Sequence, residues 1–169
     1  MKVYRENELA EIPTFATEGS ACFDLRACLE PNGTVTSYNP HNRKMQMPIK
    51  VNGGKNSVSL QPGFRTLIPT GLIFDIPKNH VLDFFIRSSM ALKYGIVLAN
   101  GVAKIDSDYV EQSYIMVLNT SDTPYTVYHG DRIAQAELRA LKPYNLTERK
   151  SPPEQKTDRD GGMGSTGVE

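Results

Sequence analysis

A chain of 169 residues, 39% hydrophobic and 22% charged, is long enough for one domain with a real core. Lys plus Arg and Asp plus Glu both number 19, so the chain has no basic excess and stable nucleic-acid binding is not expected. No apolar run approaches membrane-spanning length and the opening "MKVYRENELAEI" has no signal-peptide character, so membrane binding is not expected either and the expected compartment is the cytoplasm.

The first informative stretch is "ACFDLRACL". If it is extended, Cys22 and Cys28 stand ~20 Å apart, far beyond the reach of about 7 Å that a disulfide needs. They read as two small buried thiols. His41, His80 and His129 follow no metal spacing, lie beside turn residues, and read as surface groups.

Further on, the dominant period is two, which marks strands. "KMQMPIKV" puts Met45, Met47, Ile49 and Val51 on one strand face, with Pro48 arguing for a sheet edge. "NGGKN" then turns the chain into "SVSL", giving an expected hairpin from about 44 to 60. Short apolar runs follow: "FRTLI", "GLIFDI", "VLDFFI", "YIMVL", "YTVY" and "RIAQAEL". Turn chemistry separates them, and many short strands at regular spacing predict an all-β sandwich, jelly roll or barrel. One helix is expected, over about 88–94, with Ser88 or Ser89 as cap and Gly95 as its end. From about 147 the apolar pattern stops, so this tail has no core of its own to fold on.

Three stretches suggest chemistry, and a fourth does not. In "FFIRSSMA" a strand runs into the helix, where unpaired N–H groups, Arg87 and the serines suit a phosphate. The same residues read equally well as a capped helix with a surface arginine. In "NGVAKIDSDY" an extended backbone would point Asp106 and Asp108 to one side, able to bind Mg²⁺ through water or to deprotonate a water. A polar turn between strands is the simpler reading. In "HGDRIAQAEL" Asp131 and Arg132 read as solvated turn charges. The terminal "RDGGMGSTG" has the composition of a phosphate cradle but neither the lysine nor the helix of a P-loop.

Taken in order, "GSACFDLRA", "RSSMA", "NGVAKIDSDY", "GDRIAQ" and "RDGGMGSTG" resemble the five motifs of the homotrimeric dUTPase family. "IPTGLIFDIP" and "KYGIVLAN" match its connecting strands, and only about 38–60 falls outside the resemblance. The resemblance implies a jelly-roll-like distorted β barrel over 1–147, with one short helix and an inserted hairpin at about 38–60. A flexible arm over 148–169 would close on bound dUTP, on a neighbouring subunit. It implies Mg²⁺-dependent hydrolysis of dUTP to dUMP and pyrophosphate, in a trimer whose sites are shared between subunits. This would keep uracil out of DNA and supply dUMP for dTMP synthesis.

By the same resemblance, Asp106 would activate the water, Arg87, Ser88 and Ser89 would hold phosphate oxygens, and Gln135 would reach the α-phosphate. Asp24 would help place Mg²⁺ through a water. Asn100, Gly101, Val102 and Ile105 would line the uracil pocket, with Tyr109 beneath the sugar. Arg159 would reach the γ-phosphate while Gly161, Gly162, Met163, Gly164, Ser165 and Thr166 wrap the triphosphate.

The chain departs from the family pattern twice. The family usually reads Arg-Gly-x-Gly-Gly-Phe-Gly where this chain has "RDGGMG", so Met163 stands for the phenylalanine and Asp160 adds an acid near the γ-phosphate. The second departure is the insertion, which packs on its own barrel, contacts a protein partner, or adds a trimer contact. Two rival readings stand beside the family's activity: a dCTP deaminase of the same fold, and a regulatory protein switched by a nucleotide.

Overall fold

The computed structural model describes residues 1–158. Fourteen strands and one helix build it, and the strands form a jelly-roll-like β barrel. The sheet that matters most runs in the order β11 (Ala103–Asp106), β9 (His80–Ile86), β14 (Arg132–Ala140), β2 (Phe23–Arg26). A five-stranded sheet runs β10 (Ile96–Leu98), β12 (Tyr114–Asn119), β7 (Arg65–Pro69), β3 (Thr34–Tyr38), β4 (Lys44–Pro48). A three-stranded sheet runs β13 (Tyr125–Tyr128), β6 (Lys55–Leu60), β5 (Lys50–Asn52), and β1 (Lys2–Arg5) pairs with β8 (Leu72–Asp75). All pairings are antiparallel.

The period-two residues meet in one core. Leu25, Leu60, Ile68, Leu82, Phe84 and Ile115 are almost fully buried. A row of rings, Phe23 to Phe74 to Phe84, crosses the core at centroid spacings of 6.1 and 6.2 Å. Most polar side chains inside are paired, as burial demands, with Ser113 Oγ the exception among the described residues. The Ser37 and Thr66 hydroxyls lie 2.7 Å apart across β3 and β7, and Asn119 Nδ2 donates to the carbonyls of Leu60 and Thr123, both at 2.8 Å.

Gly71 shows how tight the packing is. Its φ is +67°, and a Cβ there would stand 2.8 Å from Ala10 Cβ and 2.9 Å from Cys28 Sγ. Gly71→Ala therefore combines left-handed strain with overpacking, an expected loss of about 2–4 kcal/mol. Scanning calorimetry should show it as a Tm drop of roughly 5–15 °C.

The structure changes four local expectations. The stretch "KMQMPIKV" is two strands, not one. β4 pairs with β3 and β5 with β6, so the chain passes from one sheet to another at Pro48–Ile49. Pro48 has no N–H to continue the ladder. Ile49 turns into the core at 8% exposure while Val51 stands out at 68%. The turn at Gly53 and Gly54 does form, both with positive φ. Second, the helix α1 (Ser88–Tyr94) is capped by the extended backbone of Arg87, and neither serine hydroxyl bonds the first turn. Gly95 closes it in the left-handed conformation, with its N–H on Ala91 O at 3.2 Å. Third, His129 is half-buried rather than a free surface group: its Nδ1 accepts the Leu29 N–H at 3.1 Å. Fourth, only Cys28 is buried, while Cys22 is half-exposed; both are free thiols. Burial first, and Glu30 second, push the Cys28 thiol up to about 11.

Asp83, on β9, carries a charge into the barrel wall. It is 4% exposed and bonds Lys104 Nζ on β11 at 2.8 Å and Arg139 Nε on β14 at 3.0 Å. Burial alone would raise its pKa, but the hydrogen bonds from Lys104 and Arg139 outweigh it and hold the carboxyl below its usual range. A depressed folded pKa contributes stability above the unfolded value of about 3.9, and loses it as pH falls through the folded value. Both partners are half in water, so Asp83→Asn should cost about 1–2 kcal/mol at neutral pH. Urea titrations should show that gap narrowing as pH falls from about 5 toward 2.

Candidate active site

Three of the sequence-predicted residues converge at one end of the four-stranded sheet. Asp24 lies on β2 directly opposite Gln135 on β14, and Gln135 is opposite Phe85 on β9. Arg87 follows the end of β9, as the helix cap. Its Nε lies 3.0 Å from Asp24 Oδ1, and its Nη1 donates to the Arg132 carbonyl at 3.1 Å. The second carboxylate oxygen, Oδ2, holds Arg132 Nη1, also at 3.0 Å.

Two arginines on one aspartate leave a net positive charge at the floor of an open pocket of about 440 Å³. Asp24 is the one acid in its lining, which also includes Ser20, Cys22, Ser88 and Gln135. Burial, with the Glu137 carboxylate second, raises the Cys22 thiol, so it stands there protonated rather than as a nucleophile. The geometry suits a bound polyanion.

Arg132, a turn charge by sequence, is a functional residue of the pocket by geometry. In a regular strand, Arg132 and Gln135 would point to opposite faces. Between Arg132 and Ala134 the register with β2 slips by one residue, a β-bulge. The bulge reverses the parity, and both side chains reach the same pocket.

The other predicted residues form a second group. Asn100 and Gly101 make the turn between β10 and β11, where Gly101 has φ +71° and open space on its Cβ side. Val102 is 41% exposed, and Ile105 is half-buried. Asp106 ends β11 with its side chain in solvent. The expected side-by-side arrangement of Asp106 and Asp108 does not form, because Tyr109 N–H closes a turn onto Asp106 O at 3.1 Å. Asp108 sits inside that turn. Tyr109 is anchored by its hydroxyl on Gln112 O at 2.9 Å, and burial, then Glu111, raises its pKa.

The groups do not meet within one chain. Asp106 pairs with Val81 near the start of β9, whereas Arg87 follows its end. Six residues at ~3.3 Å each put roughly 20 Å between them along the strand. After β14 the chain leaves the barrel, with Leu141 N–H on Asn79 O at 2.7 Å as its parting tie. Tyr144 and Leu146 then stand 82% and 91% exposed. Arg159, Gly161, Gly162, Met163, Gly164, Ser165 and Thr166 lie outside the described residues.

Comparison with known proteins gives this arrangement a context. The dUTPase family model matches residues 54–167. A deoxyuridine 5'-triphosphate nucleotidohydrolase of Finegoldia magna is 36% identical over 92% of this chain and 91% of its own. One from Caulobacter vibrioides is 32% identical over 99% of this chain and 92% of its own. Among solved structures, the dUTPase of Staphylococcus bacteriophage 80alpha, a G164S mutant with dUpNHpp, superimposes with a TM-score of 0.74 at 18% identity. That match covers 99% of this chain and 98% of the other, and it speaks for the fold.

Proposed function

The chain belongs to the dUTPase family and is a dUTP diphosphatase, and on that premise we propose that its two residue groups are complementary parts of one active site. In this reading a trimer brings the Asp106 group of one subunit against the Arg87 group of another. The observation that carries it is the separation of roughly 20 Å along β9, which no side-chain motion within one chain bridges.

The chemistry is water attack on the α-phosphorus of dUTP. Asp106 accepts the proton as the water oxygen bonds to phosphorus, and the bond to the bridging oxygen breaks to release pyrophosphate. A positioned base supplies about 10²–10⁴-fold. The rest comes from orientation and from cations fixed before the charge develops. Arg87 is fixed by Asp24 and by the Arg132 carbonyl, so it meets the phosphates already aimed. Gln135, opposite Asp24, faces the same pocket and donates to phosphate oxygens.

The residues fit Mg²⁺ of one kind. Among the described residues no three metal-binding side chains converge, and Asp24 already spends one lone pair per oxygen on an arginine. A carboxylate has about four such directions, so Asp24 would still have one free to accept a hydrogen bond from a water carried by the ion. That suits an ion that keeps its waters and arrives on the triphosphate. When bound, Mg²⁺ neutralises phosphate charge; holding its water is the part this chain plays.

Uracil recognition rests on the turn over 100–105, where backbone groups discriminate O4 from the amino group of cytosine by leaving wrong partners unpaired. In the arm, Met163 in place of an aromatic residue stacks less well on the base. Met163→Phe should lower KM for dUTP by about three- to tenfold, since an aromatic contact contributes about 0.5–1.5 kcal/mol. An unchanged KM would exclude position 163 as a base contact.

The defining test is chromatography of products from dUTP and from dCTP, with Mg²⁺ and with chelator. We expect dUMP and pyrophosphate from dUTP alone, with loss on chelation. Release of dUTP from dCTP would move the chemistry to deamination and void the role of Asp106.

A further inference from the structure

The neutral total charge conceals a segregation. Between Glu30 and Asp75 there is no acidic residue, yet Arg43, Lys44, Lys50, Lys55 and Arg65 fall in that span. The other 14 cations share the remaining chain with all 19 acids. This basic span includes β4 and β5, which lie in the segment of about 38–60 that falls outside the family resemblance.

The fold gathers part of this charge around one ring. Tyr38 on β3 pairs with Lys44 on β4 to one side and with Arg65 on β7 to the other, so the three form one row on one sheet face. The two cations are therefore two strand spacings apart, about 10 Å. Arg65 Cζ stands 5.9 Å from the Tyr38 ring centroid, and its Nη2 donates to Asn42 Oδ1. The ring itself is 39% exposed. Beside it lies an open groove of about 300 Å³ whose apolar floor is Leu67 and Met116. The loop carrying Arg43 is braced: Asn39 Oδ1 accepts the N–H groups of His41 and Arg43, both at 3.0 Å.

We propose that this face docks a single-stranded polynucleotide, with an unpaired base against Tyr38 and the groove, and flanking phosphates on Lys44 and on Arg43 or Arg65. Cations alone would serve any polyanion. The exposed ring between them, above an apolar groove, adds a stacking surface that an unpaired base fits and an acidic peptide does not need. A duplex keeps its bases stacked on one another and cannot use it. The site is separate from the Arg87 pocket and from the Asp106 turn, sharing no residue with either. The expectation of no stable nucleic-acid binding, drawn from total charge, averages over this separation.

The test is fluorescence anisotropy of a labelled oligothymidine of about 20 nucleotides with the full-length protein at about 50 mM salt. We expect binding that weakens with salt. Arg43→Ala with Lys44→Ala should weaken it about tenfold and flatten the salt slope by about 1.4. Tyr38→Ala should weaken it about tenfold through lost stacking. Hydrolysis of dUTP by these variants should match the wild type, which reports an intact fold. Lys78→Ala, a cation elsewhere on the surface, should bind like the wild type. The proposal fails if no oligothymidine binds, if the variants bind as tightly as the parent, or if a duplex or polyglutamate competes as well as the single strand.

Discussion

Asp106→Asn will lower kcat for dUTP by about a thousandfold while the dissociation constant for a non-hydrolysable dUTP analogue stays within severalfold of the wild type. The amide preserves the size and the hydrogen-bonding reach of the carboxylate but cannot take the proton of the attacking water. Asp106 ends β11 and its side chain projects into solvent in the single chain. Among the described residues it makes no ion pair, so the substitution leaves no buried charge unpaired and should leave Tm unchanged. That separates it from Asp83→Asn, which acts on stability, and from changes at Asp24, whose loss would free both Arg87 and Arg132. Quenched-flow single turnover would give the chemical step directly. A fall below tenfold would show that the water is activated elsewhere.

The parts of this molecule that were legible in its sequence are those set by local chemistry. Alternation between core and solvent predicted strands, Gly53–Gly54 predicted a turn, and Gly95 predicted where the helix stops. Five short motifs in order pointed to the family, which the relatives support over nearly the whole chain. What stayed hidden depends on partners far away in sequence. Asp83 looks like an error in the apolar run "VLDFFI" until Lys104 and Arg139, 21 and 56 residues away, arrive on neighbouring strands. Arg132 looks like a turn charge until β14 pairs with β2, 108 residues away, and a bulge sets its direction. Period-two reasoning fails where one residue interrupts the period. The bulge before Ala134 does this, Pro48 does it, and so does the turn that separates Asp106 from Asp108.

Mixing two inactive variants will restore activity, and the amount restored identifies where each site residue comes from. On the proposed roles, Asp106→Asn lacks the base and Arg87→Ala a phosphate cation, so each variant alone should be nearly inactive. If a site takes Asp106 from one subunit and Arg87 from another, an equal mixture unfolded and refolded together has intact sites. Half the subunits carry each intact residue, so random assembly makes about a quarter of the sites complete. If both residues served from the same chain, no assembly would contain a complete site and the mixture would stay inactive. The separation along β9 makes the first outcome the expected one, since roughly 20 Å exceeds the reach of any side chain. Mixing without unfolding gives the control, because subunits that do not exchange cannot complement. Arg87→Ala also removes one of the two partners of Asp24, but Arg132 still holds Oδ2, so the variant subunit keeps its fold and can donate Asp106. Recovery near a quarter would establish shared sites and, with them, the obligatory assembly of this enzyme. Absence of recovery, with mixed trimers demonstrated by mass, would place the whole site within one chain and overturn the proposed division of labour between subunits.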